Sequence, residues 1–340
     1  MPIQRVKEAI EEIKKGNMVV MIDDEDRENE GDLVYAATFS TPEKVNFMAL
    51  EARGLICVAI SKKIAKNLDL EPMVKNNSSQ HETAFTVSVD AKEATTGISA
   101  YERDLTIKLL ASPLSTPEDF VKPGHIFPLV AKEGGVLVRT GHTEGSVDIC
   151  RLAGLREAAV ICEIMNEDGT MARREDLEKF AKKHNLKIVY ISDIVEYRLR
   201  NESLVEKIDE KIIDFFDVKA KRIDFKDHLN NTHTAIQFYS PHETCNVKFH
   251  NVVLDVELLF NQKRYKSLIN SIEYLKKNSG TLIFINNPDK TIDQTKEFGV
   301  GAQILKNLGV KNIKLLTSQK GKEFVGLSGF GLNIVEEIEI

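Results

Sequence analysis

The residues most able to do chemistry are the run Asp23-Asp24-Glu25-Asp26-Arg27-Glu28-Asn29-Glu30-Gly31-Asp32. Carboxylates packed this densely repel one another, so they need solvent, cations or both. Hard divalent cations select carboxylate and water oxygens, and a guanidinium grips phosphate with a planar fork of donors. The run can therefore hold a divalent metal and an anionic substrate together; a solvated acidic loop is the plain alternative. Other segments of the first half belong to the same chemistry. Arg53-Gly54-Leu55-Ile56-Cys57 puts a cation beside a glycine at a strand start. Thr95-Thr96-Gly97-Ile98-Ser99-Ala100 and Arg103 offer hydroxyls, amides and a guanidinium, a possible phosphate cradle. Pro123-Gly124-His125-Ile126-Phe127-Pro128-Leu129 sets a histidine in a rigid turn. Arg139-Thr140-Gly141-His142-Thr143-Glu144 leads into a helix, whose free amides bind anions. Cys162-Glu163 places a thiol and an acid at the end of an apolar run. Each alone reads as a turn, a loop or an ion pair. Together they share phosphate binding, a hard metal and acid/base groups.

The elements that must position these residues follow from periodicity and punctuation. Ile3, Val6, Ile10 and Ile13 have helical spacing, and Gly16 stops that helix. Met18-Val19-Val20-Met21-Ile22 is a short apolar strand that delivers the acidic run. Thr41-Pro42 gives an N-cap and a first-turn proline for a helix to about Ala52. Strands are expected over 54–60, 84–89, 158–165 and 187–191, with helices over 146–153 and 175–184. Strands separated by helices favour a mixed sheet covered by helices. The charged stretch 197–217 reads as a helix leaving this unit. Beyond it strands come closely, over 222–225, 235–239 and 247–254. Then follow a helix over 265–277, a strand over 282–285, a helix over 291–308 and a strand over 313–316. A domain boundary is expected near residue 205, giving domains 1–205 and 206–340.

With 340 residues, two domains are expected, and 42% hydrophobic and 29% charged residues describe an ordinary globular chain. A net charge of −6 argues against nucleic acid as a partner. No run reaches the roughly 18 apolar residues of a membrane span, and no signal peptide opens the chain, so a cytoplasmic protein is expected. Cys57, Cys150, Cys162 and Cys245 lie far apart, without a C-x-x-C pair.

The first half resembles the 3,4-dihydroxy-2-butanone-4-phosphate synthases of riboflavin biosynthesis, on the run 23–32, Arg53 to Cys57, Thr95 to Ala100, Pro123 to Leu129, Arg139 to Glu144 and Cys162-Glu163. That resemblance implies a lyase converting D-ribulose 5-phosphate to 3,4-dihydroxy-2-butanone 4-phosphate and formate with Mg²⁺ or Mn²⁺. It implies Glu28 and His142 as metal ligands. Arg27, Glu28, Asp32, Arg139, Thr140, Gly141, His142, Thr143 and Glu163 are implied as substrate contacts, and His125 and Glu163 as residues essential for turnover. The implied fold is an α+β, mixed-sheet α/β sandwich, working as a homodimer. For the substrate phosphate two groups stand as alternatives: Thr95, Ser99 and Arg103, from residue type, or Arg139 and Thr143, which the resemblance favours.

In the second half, Phe298-Gly299-Val300-Gly301-Ala302-Gln303-Ile304-Leu305, Leu308-Gly309-Val310, Leu315-Leu316-Thr317 and Gly326-Leu327-Ser328-Gly329-Phe330-Gly331-Leu332 resemble GTP cyclohydrolase II, a smaller α/β domain. Thr317 and Lys322 stand where that family contacts nucleotide. Its zinc site uses clustered cysteines, but only Cys245 lies beyond residue 162. Its Arg/Gly-rich arm should follow the strand over 282–285, where Asn286-Asn287-Pro288-Asp289-Lys290 stands instead. The domain is expected to lack cyclohydrolase activity. Two other readings are a bifunctional enzyme with a mixed site drawing on His228, His233, His242 and His250, and a regulatory or dimerisation module.

Overall fold

The computed structural model describes residues 2–25, 27–79, 83–202, 205–228, 230–239, 244–286, 294–318 and 332–340. They fall into two compact units, Met1–Tyr197 and Arg198–Ile340. The first contains α1 (Pro2–Lys14), β1 (Val19–Ile22), β2 (Gly31–Ala36), α2 (Pro42–Phe47), β3 (Cys57–Ile60), α3 (Lys62–Asn67), β4 (Val89–Ala91), α4 (Ala100–Ala111), β5 (Phe120–Val130), α5 (His142–Leu152), β6 (Ala158–Glu163), α6 (Arg174–His184) and β7 (Lys187–Tyr190). Helix α7 (Ile191–Asn201) runs across the division between the units.

The seven strands of the first unit lie in the order β4-β5-β3-β6-β2-β1-β7. β1 with β7 and β3 with β5 are parallel, and the other pairs are antiparallel. Side chains alternate across a strand, and here both faces are covered. Val20, Leu33, Tyr35, Val58, Val160 and Cys162 enter one core. Their neighbours Val19, Met21, Val34, Cys57, Ala159 and Ile161 enter the other. The mixed-sheet sandwich expected from the sequence is the one observed. Thr41 caps α2 by accepting from the Lys44 amide at 3.4 Å.

The second unit contains β8 (Val205–Phe215), β9 (Val218–Asp227), β10 (Thr232–Phe238), β11 (Thr244–Asn251), α8 (Asp255–Phe260), α9 (Gln262–Asn278), β12 (Gly280–Ile285), α10 (Gln294–Asn307), β13 (Asn312–Thr317) and β14 (Asn333–Glu339). Its sheet runs β14-β13-β11-β12-β10-β9-β8. The expectation of a helix over 197–217 is corrected: α7 ends at Asn201, and Val205–Phe215 is an edge strand paired antiparallel with β9. Ile208 and Ile212 sit four apart among charges and mimic a helical face, but both are exposed. Phe216 and Asp217, both at positive φ, close a two-residue hairpin turn without the usual Asn-Gly signal. No helix among the described residues is long and apolar enough to cross a membrane.

Candidate active site

The acidic run is the loop of the β1–β2 hairpin, in which Ile22 pairs with Gly31. Its shape is set from inside by Asp23, which is buried. One Asp23 oxygen accepts the Glu30 amide at 2.8 Å. The other accepts Arg27 Nη1 at 2.8 Å and the Glu28 amide at 3.2 Å. Arg27 Nη1 also donates to Glu28 Oε2 at 2.5 Å. From outside, Arg173 Nη1 donates to the carbonyls of Glu28 and Asn29 at 2.7 and 2.5 Å. Asp26 lies outside the described residues.

Asp32 stands in β2 directly across from Glu163, the last residue of β6. Like charges in that register repel. Burial raises the Asp32 carboxyl to about 7, with Glu163, Glu28 and Glu30 adding to the effect against the opposing pull of His142. Glu163 Oε2 accepts the Leu55 amide at 2.8 Å. Gly54 makes that approach possible, because a Cβ there would lie 2.3 Å from the Glu163 carbonyl oxygen and 2.7 Å from Oε2.

His142 opens α5, with Gly141 as the N-cap in extended conformation. Its Nδ1 lies 3.6 Å from Glu28 Oε2 and its Nε2 4.0 Å from Asp32 Oδ1. The ring is buried, and Nε2 has no hydrogen-bond partner. Burial alone would lower the pKa of His142, yet Asp32, Glu28 and Asp23 outweigh it and raise it to about 9. Burial likewise works against the Glu28 carboxylate, but His142 and Arg27 bring it down to about 2. At the same helix end, Arg139 Nη1 donates to Glu144 Oε2 at 2.5 Å, and Glu144 Oε1 accepts the Lys132 amide at 3.0 Å. A Cβ on Gly141 would lie 2.2 Å from Arg139 Nη1. Thr143 is buried and Thr140 half-buried.

Asp23, Glu28 and His142 can bring one ligand atom each within 4.8 Å of one another, the one such group of three among the described residues. Both Asp23 oxygens already accept N–H groups, so Asp23 shapes the loop, while Glu28 and His142 face each other. A carboxylate and a buried imidazole nitrogen with no partner, in an acidic setting, fit a hard divalent cation. That cation would replace the proton this site otherwise holds on His142.

His125 has a different partner, Asp90. Val89 pairs with Ile126 but Asp90 with Val121, so residues 122–125 leave the β4–β5 ladder. The His125 amide donates to Asp90 Oδ1 at 2.8 Å, and Nδ1 meets Asp90 Oδ2 at 2.7 Å. The structure thus gathers Arg27, Glu28, Asp32, His142 and Glu163, puts Arg139, Thr140, Gly141 and Thr143 at the adjoining helix end, and sets His125 beside Asp90.

The phosphate cradle expected from Thr95, Ser99 and Arg103 is corrected at its amides and hydroxyls. The Thr95 and Gly97 amides and the Thr95, Thr96 and Ser99 hydroxyls all donate to the carboxylate of Glu102. These donors, Thr95 and Ser99 among them, are taken by an anion of the chain itself, which holds Glu102 down at about 2. The spacing Ser99-x-x-Glu102 was the available signal, since it is a capping-box pattern. Nothing in the sequence marked Asp90 or Arg173.

In the second unit Cys245 is buried on β11 beside Thr281 Oγ1 at 3.5 Å. His233 Nε2 meets Asp227 at 3.1 Å, and its Nδ1 accepts the Asn286 amide at 3.1 Å. His250 packs edge-on to Phe284 and is pushed down to about 4 by burial, then by Arg264 and Lys248. The His228 ring nitrogens are buried without hydrogen-bond partners. His242, Lys322 and residues 287–290 and 326–331 of the expected motifs lie outside the described residues.

Comparison with known proteins places the chain in a family. Residues 7–197 match the family 3,4-dihydroxy-2-butanone 4-phosphate synthase, and residues 256–339 match GTP cyclohydrolase II. The 3,4-dihydroxy-2-butanone 4-phosphate synthase of Sulfurospirillum multivorans is 61% identical, over 99% of this chain and 95% of that protein. Riboflavin biosynthesis protein RibBA of Aquifex aeolicus is 44% identical over 98% of this chain and 92% of its own length. The crystal structure of RibBX, a two-domain 3,4-dihydroxy-2-butanone 4-phosphate synthase from A. baumannii, superposes with a TM-score of 0.81 at 41% identity, covering 98% of each chain. A synthase solved in complex with two magnesium ions is 42% identical and covers 56% of this chain and 94% of its own, with a TM-score of 0.54. The chain therefore belongs to the 3,4-dihydroxy-2-butanone 4-phosphate synthase family, lyases of riboflavin biosynthesis, and carries a GTP cyclohydrolase II-like second unit.

Proposed function

We propose that residues 1–205 form a synthase domain that converts D-ribulose 5-phosphate to 3,4-dihydroxy-2-butanone 4-phosphate and formate. Glu28 and His142 would hold Mg²⁺ or Mn²⁺ there. We further propose that residues 206–340 form a cyclohydrolase II-like domain without zinc chemistry, and that the protein acts as a cytoplasmic homodimer. The observation that carries this reading is the convergence of Glu28 and Asp32 on the buried His142, whose Nε2 has no hydrogen-bond partner, with Glu163 opposite Asp32. The relative solved with magnesium supports the choice of metal.

When bound, the divalent ion supplies a Lewis acid at substrate oxygens. The chain's own residues do the rest. Arg139 and Thr143, with the amides at the start of α5, receive the phosphate. Arg27 and the backbone at Gly141 orient the sugar chain. Asp32, raised to about 7, holds or accepts a proton at neutral pH. Glu163, fixed by the Leu55 amide, presents its carboxylate beside Asp32 and moves a second proton. His125 supplies an imidazole for a further transfer.

The test is formate release. EDTA should stop it, and Mg²⁺ or Mn²⁺ should restore it. Glu28→Gln and His142→Ala should each abolish it while the fold persists. Near-normal turnover in either variant would defeat the ligand assignment. Unphosphorylated ribulose should be a very poor substrate, since remote binding energy orients the reacting carbons.

A further inference from the structure

We propose that Asp90 is a positioning residue for the lyase reaction. It fixes His125 with its proton on Nδ1 and the Nε2 lone pair free, and the Thr95-to-Ser99 segment is the clamp that covers this dyad. The inference rests on the reading of His125 as a proton-transfer group.

Asp90 is buried, while the His125 side chain is 45% exposed. One Asp90 oxygen accepts the His125 backbone amide, and the other meets ring Nδ1 at 2.7 Å. A carboxylate oxygen can only accept, so Nδ1 carries hydrogen. The double attachment fixes both the backbone and the ring, as two contacts from one planar group restrict rotation at both ends. Nε2 makes no hydrogen bond among the described residues and lies on the ring's other side. In a neutral imidazole whose Nδ1 donates, Nε2 is the acceptor, the atom able to take a substrate proton.

Two glycines admit this geometry. A Cβ on Gly124 would lie 2.0 Å from the Val89 carbonyl carbon. At Gly97, whose φ of +77 degrees side-chain-bearing residues rarely adopt, a Cβ would lie 2.0 Å from Asp90 Oδ2 and 2.7 Å from His125 Nδ1. The Gly97 backbone therefore rests directly on the Asp90–His125 contact. Glu102 keeps it there by gathering the amides and hydroxyls of Thr95, Thr96, Gly97 and Ser99. A covered carboxylate–imidazole contact is less screened by solvent than an open one.

The test combines the ring's tautomer with kinetics. Nitrogen NMR of the native full-length protein should show His125 protonated on Nδ1; hydrogen on Nε2 alone would overturn the proposal without any variant. In Asp90→Asn, the side-chain oxygen still accepts the His125 amide, so its NH₂ faces Nδ1 and drives hydrogen to Nε2. There kcat should fall about 10²–10⁴-fold, with KM little changed and the tautomer switched. A merely structural role would not switch the tautomer. Near-native kcat, or a lower kcat with Nδ1 still protonated, would overturn the proposal. Gly97→Ala, which pushes a methyl into the same contact, should lower kcat rather than raise KM, and an unchanged kcat there also counts against it. His125→Ala separates the two ideas: if it keeps full turnover, the reading of His125 fails. If it is inactive while Asp90→Asn is active, only the present inference fails.

Discussion

At His142, burial and charge pull in opposite directions. Desolvation favours the neutral imidazole, but the surrounding carboxylates outweigh it and lift the pKa to about 9. The metal-free site therefore carries a proton at neutral pH. A ligating imidazole must be neutral, so a cation has to displace that proton. Below the raised pKa the proton competes, and above it the competition ends. Magnesium affinity should consequently rise with pH, by up to about tenfold per unit between neutrality and pH 9. Calorimetry in buffers of different ionisation enthalpy should detect a proton released on binding. A flat affinity with no proton release would remove His142 from the ligand set. Asp32 is the neighbouring case with the opposite outcome: its carboxyl is raised to about 7 by burial and by Glu163, so it can change protonation during turnover.

At the scale of elements, the site is a hairpin loop held against a strand end and a helix start. The loop has no regular structure of its own. Asp23 ties it from within, and Arg173, the residue before α6, ties it from outside through the Glu28 and Asn29 carbonyls. Groups that hold a ligand's backbone act much as outer-sphere hydrogen bonds do. Arg173→Ala should thus weaken magnesium binding about tenfold or more, although Arg173 touches neither metal nor substrate in the proposed arrangement. Titration of the variant with magnesium, beside a thermal melt, separates this from general instability; unaltered affinity would show that Asp23 suffices. Gly54 serves the same purpose at the strand end, where the lack of a side chain lets Glu163 reach the Leu55 amide.

For the whole molecule, two units with separate sheets and cores share one chain. Every residue assigned to the lyase site belongs to the first unit. A protein ending near residue 205 should therefore still release formate from ribulose 5-phosphate. The second unit should leave GTP untouched even with added Zn²⁺. Its single cysteine is buried at a β11–β12 contact, and His233 is engaged by Asp227 and Asn286. Catalytic zinc needs about three protein ligands and an open position. Incubation of the full-length protein with GTP, Mg²⁺ and Zn²⁺ checks this, and pyrophosphate with formate in that mixture would establish a bifunctional enzyme instead. An inactive truncated protein would show that the second unit is required for the lyase reaction.

The sequence by itself determined the α/β character of the first unit, because strand and helix periods are local properties. It also determined which residue types could meet a metal and a phosphate, since the acidic run, Arg139 to Thr143 and Glu163 bear their chemistry in their side chains. It did not reveal that Val205–Phe215 is a strand, because Ile208 and Ile212 satisfy a helical spacing as readily as an extended one and only pairing with β9 decides. Nor did it reveal where the hydroxyls of Thr95 and Ser99 go. Both a phosphate and an internal carboxylate satisfy such donors, and the tertiary structure supplied Glu102. The partnerships of His142 with Glu28 and Asp32, and of His125 with Asp90, join residues far apart in the chain. Such contacts depend on strand order and register, which are decided only when the sheet is assembled and its two faces are buried.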